Sequence, residues 1–85
     1  MAEIAWTSEA ADDLRKLDRQ IRKRILKRIS WFAAHFDEVI PEPLSGEFAS
    51  TYKFRVGDWR IIYVLHDERI LILAVGHRRE IYKIR

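Results

Sequence analysis

Apolar and polar residues alternate on both sides of Gly57-Asp58, and this alternation is the clearest pattern in the chain. Two such runs joined by a Gly-Asp dipeptide predict a β-hairpin with a two-residue turn, in which Arg55 lies opposite Arg60. Because side chains alternate across a strand, one face of the hairpin is apolar or aromatic throughout and should carry the core. That face comprises Tyr52, Phe54, Val56, Trp59, Ile61, Tyr63 and Leu65.

The opposite face of the predicted hairpin carries cations. Lys53, Arg55 and Arg60 lie on it, followed by Ile62 and Val64. Like charges directly across a strand pair destabilise a sheet, so a sequence selected for stability alone would not place two arginines there. An anion bound to this face would explain them, and an ordinary solvated strand face is the alternative. The pattern by itself therefore predicts anion binding and no particular reaction.

The residues before the hairpin predict a short strand and two helices. Residues 2–6 alternate enough for a strand, and Thr7 or Ser8 can cap a first helix. Asp18 can cap a second helix, whose apolar stripe consists of Ile21, Ile25, Ile29, Phe32 and Phe36. With almost no loop between them, the two helices should form an antiparallel hairpin. Residues 37–46 contain both prolines and predict an ordered connection without a strong element.

Residues 70–75 are apolar on both sides, which is typical of a central strand. We favour a three-residue turn before this strand, because it leaves Ala74, Gly76 and Arg78 beside Arg60. On the core face it places the larger side chains, namely Leu71, Leu73 and Val75. A two- or four-residue turn reverses these faces unless a bulge at Gly76 corrects them. The two small residues would leave a concavity beside the cations.

Composition agrees with a small globular protein. At 85 residues, with 48% hydrophobic and 34% charged, the chain predicts one domain over residues 1–85. The pattern predicts an α+β fold, in which the N-terminal strand and the two-helix hairpin pack on a small, mainly antiparallel sheet. The absence of cysteine excludes disulfides and thiolate metal sites, and it favours the reducing cytoplasm. No uncharged stretch is long enough to span a bilayer, so no membrane partner is expected.

The predicted second helix is strongly basic. It carries six cations within ten residues: Arg19, Arg22, Lys23, Arg24, Lys27 and Arg28. Such a run is usual on a solvated helix face, and it is also compatible with phosphate contacts that position a protein on a large RNA. His35, His66 and His77 lack the spacing of a metal site, so no metal or other cofactor is expected. His77 adjoins the cationic face and could donate a proton.

Three segments together resemble the RelE branch of the RelE/ParE toxins. They are Leu44-Ser45-Gly46, the hairpin sequence from Tyr52 to Tyr63, and Gly76-His77-Arg78-Arg79-Glu80-Ile81-Tyr82. The segment from Leu14 to Leu26 resembles the family's helical hairpin, so the likeness covers nearly the whole chain. It implies a small α+β fold and a toxin of a bacterial toxin–antitoxin pair that cleaves mRNA in the ribosomal A site without a metal.

The resemblance also implies roles for individual residues. The family's catalytic or phosphate-binding positions fall on Lys53, Arg55, Arg60, Arg78 and Tyr82. The arginines would stabilise charge on the phosphate. Because Arg55 cannot readily give up a proton, the base that takes the proton of the 2′-hydroxyl would be Lys53, which the arginines crowd, or another group, and Lys53 is the leading candidate. Tyr82 would orient the substrate or assist proton transfer. His77, Arg79 and the cations of helix two would contact RNA or the ribosome.

Two alternatives to the nuclease stay open. ParE toxins poison DNA gyrase on the same fold, so the fold alone does not decide the function. A non-catalytic module that binds RNA or an antitoxin is the second alternative. The Lys-x-Arg, Arg and His-Arg-Arg-x-x-Tyr pattern favours the nuclease.

The expected partners are a cognate antitoxin and a ribosome with mRNA in its A site. Under the favoured register, Ile62, Val64 and Ile72 share the cationic face as an apolar patch without a partner. The resemblance supplies an antitoxin that lays aliphatic side chains on such a surface and acidic ones near the arginines. We therefore expect Ile62→Asp to weaken antitoxin binding more than it harms the fold.

Overall fold

The computed structural model describes residues 2–44 and 50–81. Its elements are β1 (Glu3–Trp6), α1 (Ser8–Arg15), α2 (Arg19–Ala34), a 3-10 turn (Phe36–Glu38), β2 (Glu42–Pro43), β3 (Thr51–Val56), β4 (Trp59–His66) and β5 (Arg69–His77). The described strands form a sheet in the order β1-β5-β4-β3-β2. β1 runs parallel to β5, and the other three pairings are antiparallel. The predicted α+β class with a mainly antiparallel sheet is confirmed.

The two helices begin where the sequence predicts. Thr7 Oγ1 accepts a hydrogen bond from the Ala10 amide at 3.1 Å, and Asp18 Oδ2 accepts one from the Gln20 amide at 3.0 Å. These caps satisfy amide groups that the first turn of a helix leaves without an intrahelical partner. In the part of the chain that the structure describes, neither helix is long and apolar enough to cross a membrane.

The main core lies between the helices and one face of the sheet. Its buried members are Ala10, Ile25, Ile29, Phe32, Val56, Ile61, Tyr63, Ile70, Ile72 and Val75. Phe32 of α2 stacks on Phe54 of β3 with ring centroids 4.2 Å apart, and it meets Tyr63 of β4 edge to face at 5.3 Å. Each such aromatic pair stabilises a fold by roughly 0.5–1.5 kcal/mol beyond burial alone. These contacts fix α2 to the central hairpin.

The β3–β4 hairpin has the predicted register. Gly57 and Asp58 form the turn, and Arg55 pairs with Arg60. Gly57 has φ +60°, a backbone conformation that residues with a side chain rarely adopt and that two-residue hairpin turns favour. The seven residues predicted for the core face all lie in the main core or pack against it. Alternation along the strands was therefore sufficient to assign both faces of this hairpin.

The start of β5 differs from the favoured register. A two-residue turn, Asp67-Glu68, precedes the strand. Ile70 and Ile72 therefore lie on the core face, each 1% exposed, where Leu71 and Leu73 were expected. That expectation was wrong because both sets are large and aliphatic, so side-chain size could not decide the parity of the strand.

A β-bulge then restores the expected parity. Ile62 and Tyr63 are neighbours on β4, but their partners on β5 are Ala74 and Ile72, so Leu73 is an extra residue in the ladder. Beyond the bulge, the small residues at the end of β5 lie beside the cations, as expected. The bulge lies at Leu73, three residues before Gly76, where the sequence suggested it.

The outer face of the sheet, opposite the helices, carries a small apolar cluster of its own. Ile62, Ala74 and Ile81 are buried there together, and Leu44 packs against them. Ile81 lies directly over Gly76, since a Cβ atom built on that glycine would be 2.9 Å from the Cδ1 atom of Ile81. The chain itself therefore fills the concavity that was expected beside the cations.

The observed register predicts which of two neighbouring residues of β5 supports the core. Ile72→Ala should lower the free energy of unfolding by about 2–5 kcal/mol, because it leaves a cavity in the main core. Leu71→Ala is the matched control on the outer face and should cost clearly less, since Leu71 is partly exposed. Urea denaturation of both variants measures the difference. A larger loss in Leu71→Ala would contradict the register.

Candidate functional site

A carboxylate at the edge of the sheet holds two of the predicted cations. Arg55 donates two hydrogen bonds to Glu42, from Nε to Oε1 at 3.0 Å and from Nη2 to Oε2 at 2.6 Å. Lys53 Nζ lies 3.6 Å from Oε2 of the same carboxylate. A bidentate arginine fork is stronger and more directional than a single contact. The hydrogen bonds from Arg55 lower the pKa of Glu42 below its ordinary value of 4.5, and the charge of Lys53 adds to this effect.

The local structure explains how Glu42 reaches this place. β2 is an edge strand of two residues, and Glu42 pairs directly with Lys53 across the ladder. Its neighbour Pro43 has no amide hydrogen, a property that confines proline to edge strands. Sequence reasoning missed Glu42, because a two-residue strand has no periodicity to detect. The flanking residues Pro41 and Pro43 were the available signal for an edge.

Arg60 is the charged residue that the described part of the chain buries, with 8% of its surface exposed. Its Nη1 atom donates to the carbonyl oxygens of Gly57 at 2.8 Å and Trp59 at 2.9 Å. No carboxylate within residues 2–44 and 50–81 contacts it. Burying a cation without a counter-ion costs free energy, which the two carbonyl contacts reduce but do not remove. Arg55 and Arg60 thus face each other across the ladder, but the guanidinium of Arg55 binds Glu42 at the sheet edge and that of Arg60 binds carbonyl oxygens at the turn.

Arg78 reaches the same turn from the end of β5. Its amide donates to the Asp58 carbonyl at 2.8 Å, and its Nε atom lies 3.6 Å from Asp58 Oδ1. Its side chain is half exposed and therefore accessible to a ligand. Arg60 and Arg78 meet at the hairpin turn, whereas Lys53 and Arg55 meet at the edge carboxylate. The four predicted cations therefore form two groups, one at each of these places.

Tyr82, the fifth predicted catalytic residue, lies outside the described residues, as do Ser45 and Gly46 of the resemblance. Tyr63 is no substitute for Tyr82. It is 1% exposed on the core face, and burial raises its pKa to about 12. A proton donor or acceptor in catalysis needs access to the substrate and a pKa closer to the working pH.

His77 lies at the border of the core face and not among the cations. Its ring meets that of Trp59 edge to face, with centroids 5.4 Å apart. Its Nδ1 atom accepts a hydrogen bond from the amide of Arg79 at 3.2 Å. These contacts hold the chain after β5, so a structural role accounts for His77. The described residues contain no group of three or more His, Cys, Asp or Glu that could hold a metal ion.

The six cations of α2 divide by what they contact. Arg22 donates from Nη1 to a carbonyl just after α1, at 3.2 Å. Arg28 lies over the Trp31 ring, 4.8 Å from its centroid, and Arg24 lies against Gly57 in the hairpin turn. The remaining three are exposed on the helix: Arg19, Lys23 and Lys27. Half of the basic run therefore has a contact within the fold, which the sequence did not indicate.

The surface expected to bind an antitoxin is largely closed. Ile62 is 8% exposed in the outer apolar cluster, Ile72 is 1% exposed in the main core, and Val64 is partly buried. The expectation of an exposed patch is wrong for both isoleucines, and Ile62→Asp would bury a carboxylate and damage the fold. Among the described residues, the exposed large apolar side chains are Leu26, Trp31 and Ile40.

Comparison with known proteins assigns this chain to a family. A family model of the ParE toxin of type II toxin–antitoxin systems matches residues 4–82. The chain belongs to the RelE/ParE toxin family. Toxin RelG from Mycobacterium tuberculosis is 30% identical to it over 82 residues, which is 94% of each chain. The resemblance is confirmed at the level of the family, and the protein is a toxin of a type II toxin–antitoxin system.

Two solved structures resemble the toxin over most of its length. The RelBE2 toxin–antitoxin complex from Mycobacterium tuberculosis aligns with a TM-score of 0.79 at 29% identity, covering 91% of the toxin and 98% of that chain. The isolated RelE toxin from E. coli aligns with a TM-score of 0.74 at 21% identity, covering 98% and 93%. The second likeness shows the fold alone. The family model carries the name ParE and these relatives the name Rel, so names do not separate the branches.

Replacing Glu42 tests the contact at the sheet edge through the pH dependence of stability. The folded-state pKa of Glu42 is lowered, so its ion pairs stabilise the fold above its unfolded pKa near 4.5. This contribution is lost as the pH falls through the lower folded-state value. Glu42→Gln should therefore melt below the wild type at pH 7, by a modest amount because the carboxylate is partly exposed. The difference should shrink as the pH falls below 4.5.

The control is Glu38→Gln, which removes an exposed carboxylate four residues earlier. Thermal melting of the three proteins from about pH 3 to about pH 7 would make the comparison, since this range extends to both sides of the unfolded-state pKa near 4.5. A melting difference for Glu42→Gln that stays constant with pH would show that the charge of this carboxylate does not stabilise the fold.

Proposed function

We propose that the toxin is an endoribonuclease that cuts mRNA in the ribosomal A site, by attack of the 2′-hydroxyl on the adjacent phosphate and without a metal. The observation that carries the proposal is the buried Arg60 next to the half-exposed Arg78 at one turn. Arginine forks match the geometry of phosphate and stay charged. A phosphate would supply the counter-charge that the described residues do not give Arg60.

The reaction depends on donors that stabilise developing charge. In-line attack forms the bond from the 2′-oxygen to phosphorus and breaks the bond from phosphorus to the 5′-oxygen. The base takes the proton of the 2′-hydroxyl, and the departing 5′-oxygen takes up a proton in a transfer that Tyr82 would assist. Donors that are fixed in advance stabilise the negative charge on the nonbridging phosphate oxygens without reorganisation. Arg60 is fixed by its burial and its two carbonyl contacts. Arg78 is tied through its amide to the same turn. These two residues would hold the scissile phosphate.

Lys53 and Arg55 would complete the site from the neighbouring strand. Lys53 would act as the base toward the 2′-hydroxyl, and Arg55 would contact the phosphate. In the free toxin Glu42 holds both, so an incoming phosphate has to displace this carboxylate or share its cations. Glu42 offsets the crowding of Lys53 by arginines, and it is itself a group that can take up a proton beside the substrate. Lys53 therefore stays the proposed base, because the lowered pKa of Glu42 makes this carboxylate the weaker proton acceptor.

The ribosome enters the proposal because the site supplies few conventional acid–base groups. Charge stabilisation works only when the 2′-oxygen, the phosphorus and the leaving oxygen are already in line. A ribosome that fixes the A-site codon can impose this geometry on a strand that is flexible in solution. The exposed cations of α2 and Arg79 would contact ribosomal phosphates, in the compartment where translation occurs.

We also propose that a cognate antitoxin binds the toxin. The related RelBE2 and E. coli RelBE structures are both toxin–antitoxin complexes. The basic α2 favours an acidic partner segment, which would associate fast and in a salt-dependent way. Leu26 and Trp31 are exposed on the same helix and offer apolar contacts. They replace the isoleucines of the sheet as the expected antitoxin contacts.

A gyrase inhibitor of the ParE kind is the second candidate. The match of the ParE family model to residues 4–82 is the observation that favours it. Such a toxin needs a surface that fits gyrase and no catalytic groups. The two functions therefore differ in what happens to RNA and to DNA supercoiling.

An assay on programmed ribosomes decides between the two targets. The purified toxin should cut mRNA within the A-site codon and leave the same RNA intact without ribosomes, because only the bound codon has the in-line geometry. Primer extension maps the cut. DNA supercoiling by gyrase, measured at the same toxin concentration, should not change. Intact mRNA combined with a loss of supercoiling would establish the ParE-like alternative.

Arg78→Ala tests the role of the turn in cleavage. Removing one preorganised donor should slow cleavage about 10²–10³-fold, while the melting temperature stays close to that of the wild type. Arg69→Ala is the matched control, since Arg69 lies at the opposite end of β5 in an exposed ion pair with Glu3 at 3.1 Å. It should retain full activity. A sharp fall in the melting temperature of Arg78→Ala would make Arg78 a structural residue.

A further inference from the structure

Arg24 reaches from α2 to the hairpin turn and covers Gly57. A Cβ atom built on Gly57 would lie 2.6 Å from Nη2, 3.2 Å from Cζ and 3.4 Å from Nη1 of Arg24. Three atoms of one planar group at these distances place the guanidinium directly on the glycine. A side chain at position 57 would have to push this flexible guanidinium aside, in addition to the strain at φ +60°.

Three arginines therefore meet at one two-residue turn. Arg24 covers Gly57, and Arg60 donates to the carbonyl of the same residue. Arg78 contacts Asp58 through its amide and its Nε atom. Within the described residues, Asp58 is the carboxylate that faces this group. The turn is left with an excess of positive charge that one carboxylate cannot neutralise.

Apart from its packing on Gly57, no contact among the described residues accounts for the position of Arg24. Its side chain is exposed, and no oxygen in residues 2–44 and 50–81 accepts a hydrogen bond from it. Ordering a long side chain at a turn that already holds two cations costs conformational entropy and electrostatic free energy. A phosphate that accepts hydrogen bonds from the guanidinium would offset both costs.

We propose that Arg24 binds the RNA backbone phosphate next to the one that is cleaved. The inference rests on the proposed endoribonuclease function, in which Arg60 and Arg78 hold the scissile phosphate. Arg24 approaches the turn from the helix side of the sheet, and Arg60 approaches it from the outer face. A strand bound at Arg60 and Arg78 passes Arg24 as it crosses the turn.

The role assigned to Arg24 is to position the strand. A contact to the sugar–phosphate backbone fixes where a strand lies without reading its bases. The ligand class is therefore single-stranded RNA with at least two consecutive phosphates. Loss of this contact should weaken binding equally for different sequences.

The test measures binding of a 2′-O-methyl RNA trinucleotide, which has two phosphates and no 2′-hydroxyl to react. Its dissociation constant is determined by NMR titration for the wild type and Arg24→Gln at several salt concentrations. Arg24→Gln should bind about fivefold more weakly, as expected for one exposed charged contact. The slope of log affinity against log salt should fall by about 0.7, the value for one phosphate contact to a single strand.

Two further variants separate the charge of Arg24 from its packing. Arg24→Lys keeps the charge but not the fork, so it should keep the salt slope of the wild type and bind with intermediate affinity. Arg69→Gln removes the same charge at the far end of β5 and should bind like the wild type. Melting curves confirm that each variant is folded.

The outcomes distinguish this inference from the proposed function. Suppose that the wild type fails to cut mRNA while Arg24→Gln still lowers the trinucleotide affinity and the salt slope. In that case the proposed endoribonuclease function is wrong and the phosphate contact of Arg24 stands. If the wild type cuts mRNA and Arg24→Gln binds the trinucleotide with unchanged affinity and slope, the inference is overturned. An equal loss in Arg69→Gln overturns it too, since the effect would then be general charge. Unchanged RNA binding with a weaker antitoxin complex would place Arg24 in a protein interface and also overturn it.

Discussion

The turn at Gly57-Asp58 is the constraint on which the arrangement of charges depends. Gly57 adopts a positive φ that residues with a side chain rarely adopt, and the end of the Arg24 side chain lies against it. The Gly57 carbonyl holds the guanidinium of Arg60, and the Asp58 carbonyl holds the amide of Arg78. A longer turn would move all three arginines and would also change the register of β3 on β4. The same two residues thus determine the core face of the hairpin and the position of its cations.

Repulsion between the facing Arg55 and Arg60 is relieved by the directions of their side chains. Arg55 binds Glu42 at the edge of the sheet, and Arg60 binds carbonyl oxygens at the turn. A partly exposed ion pair stabilises a fold by only about 0–1 kcal/mol. The contact with Glu42 therefore matters more for the position of the Arg55 side chain than for the stability of the fold. It also shows that these cations already accommodate an anionic group in the free toxin. A phosphate bound at this edge would compete with Glu42 for Lys53 and Arg55.

Strand alternation predicted the β3–β4 hairpin for two reasons. A two-residue turn fixes which residues pair, and because one face is aromatic and the other charged, only one of them can lie against the core. The parity of β5 was not predictable in this way, since Ile70 to Val75 offer aliphatic side chains to either face and the bulge at Leu73 changes parity within the strand. Glu42 and Ile81 were missed for a different reason. Each reaches the outer face from a short segment outside any periodic element, and alternation contains no information about such contacts. The cations of the site could be listed from sequence, but the groups that surround them could not.

The choice between RNA and gyrase depends on the site and not on the fold, because RelE-like and ParE-like proteins share the fold. The exposed cations of α2 do not decide between RNA and gyrase. They could bind rRNA, but an acidic antitoxin would explain them equally well. A buried arginine is different. A toxin that only binds another protein can do so with exposed side chains. Arg60 is instead buried without a carboxylate among the described residues, which carries a desolvation cost. Catalysis benefits from such burial, because a fixed donor in a site of low dielectric stabilises transition-state charge far better than a solvated one. The burial of Arg60 is thus a feature that the proposed chemistry on a phosphate would use and that binding alone does not require.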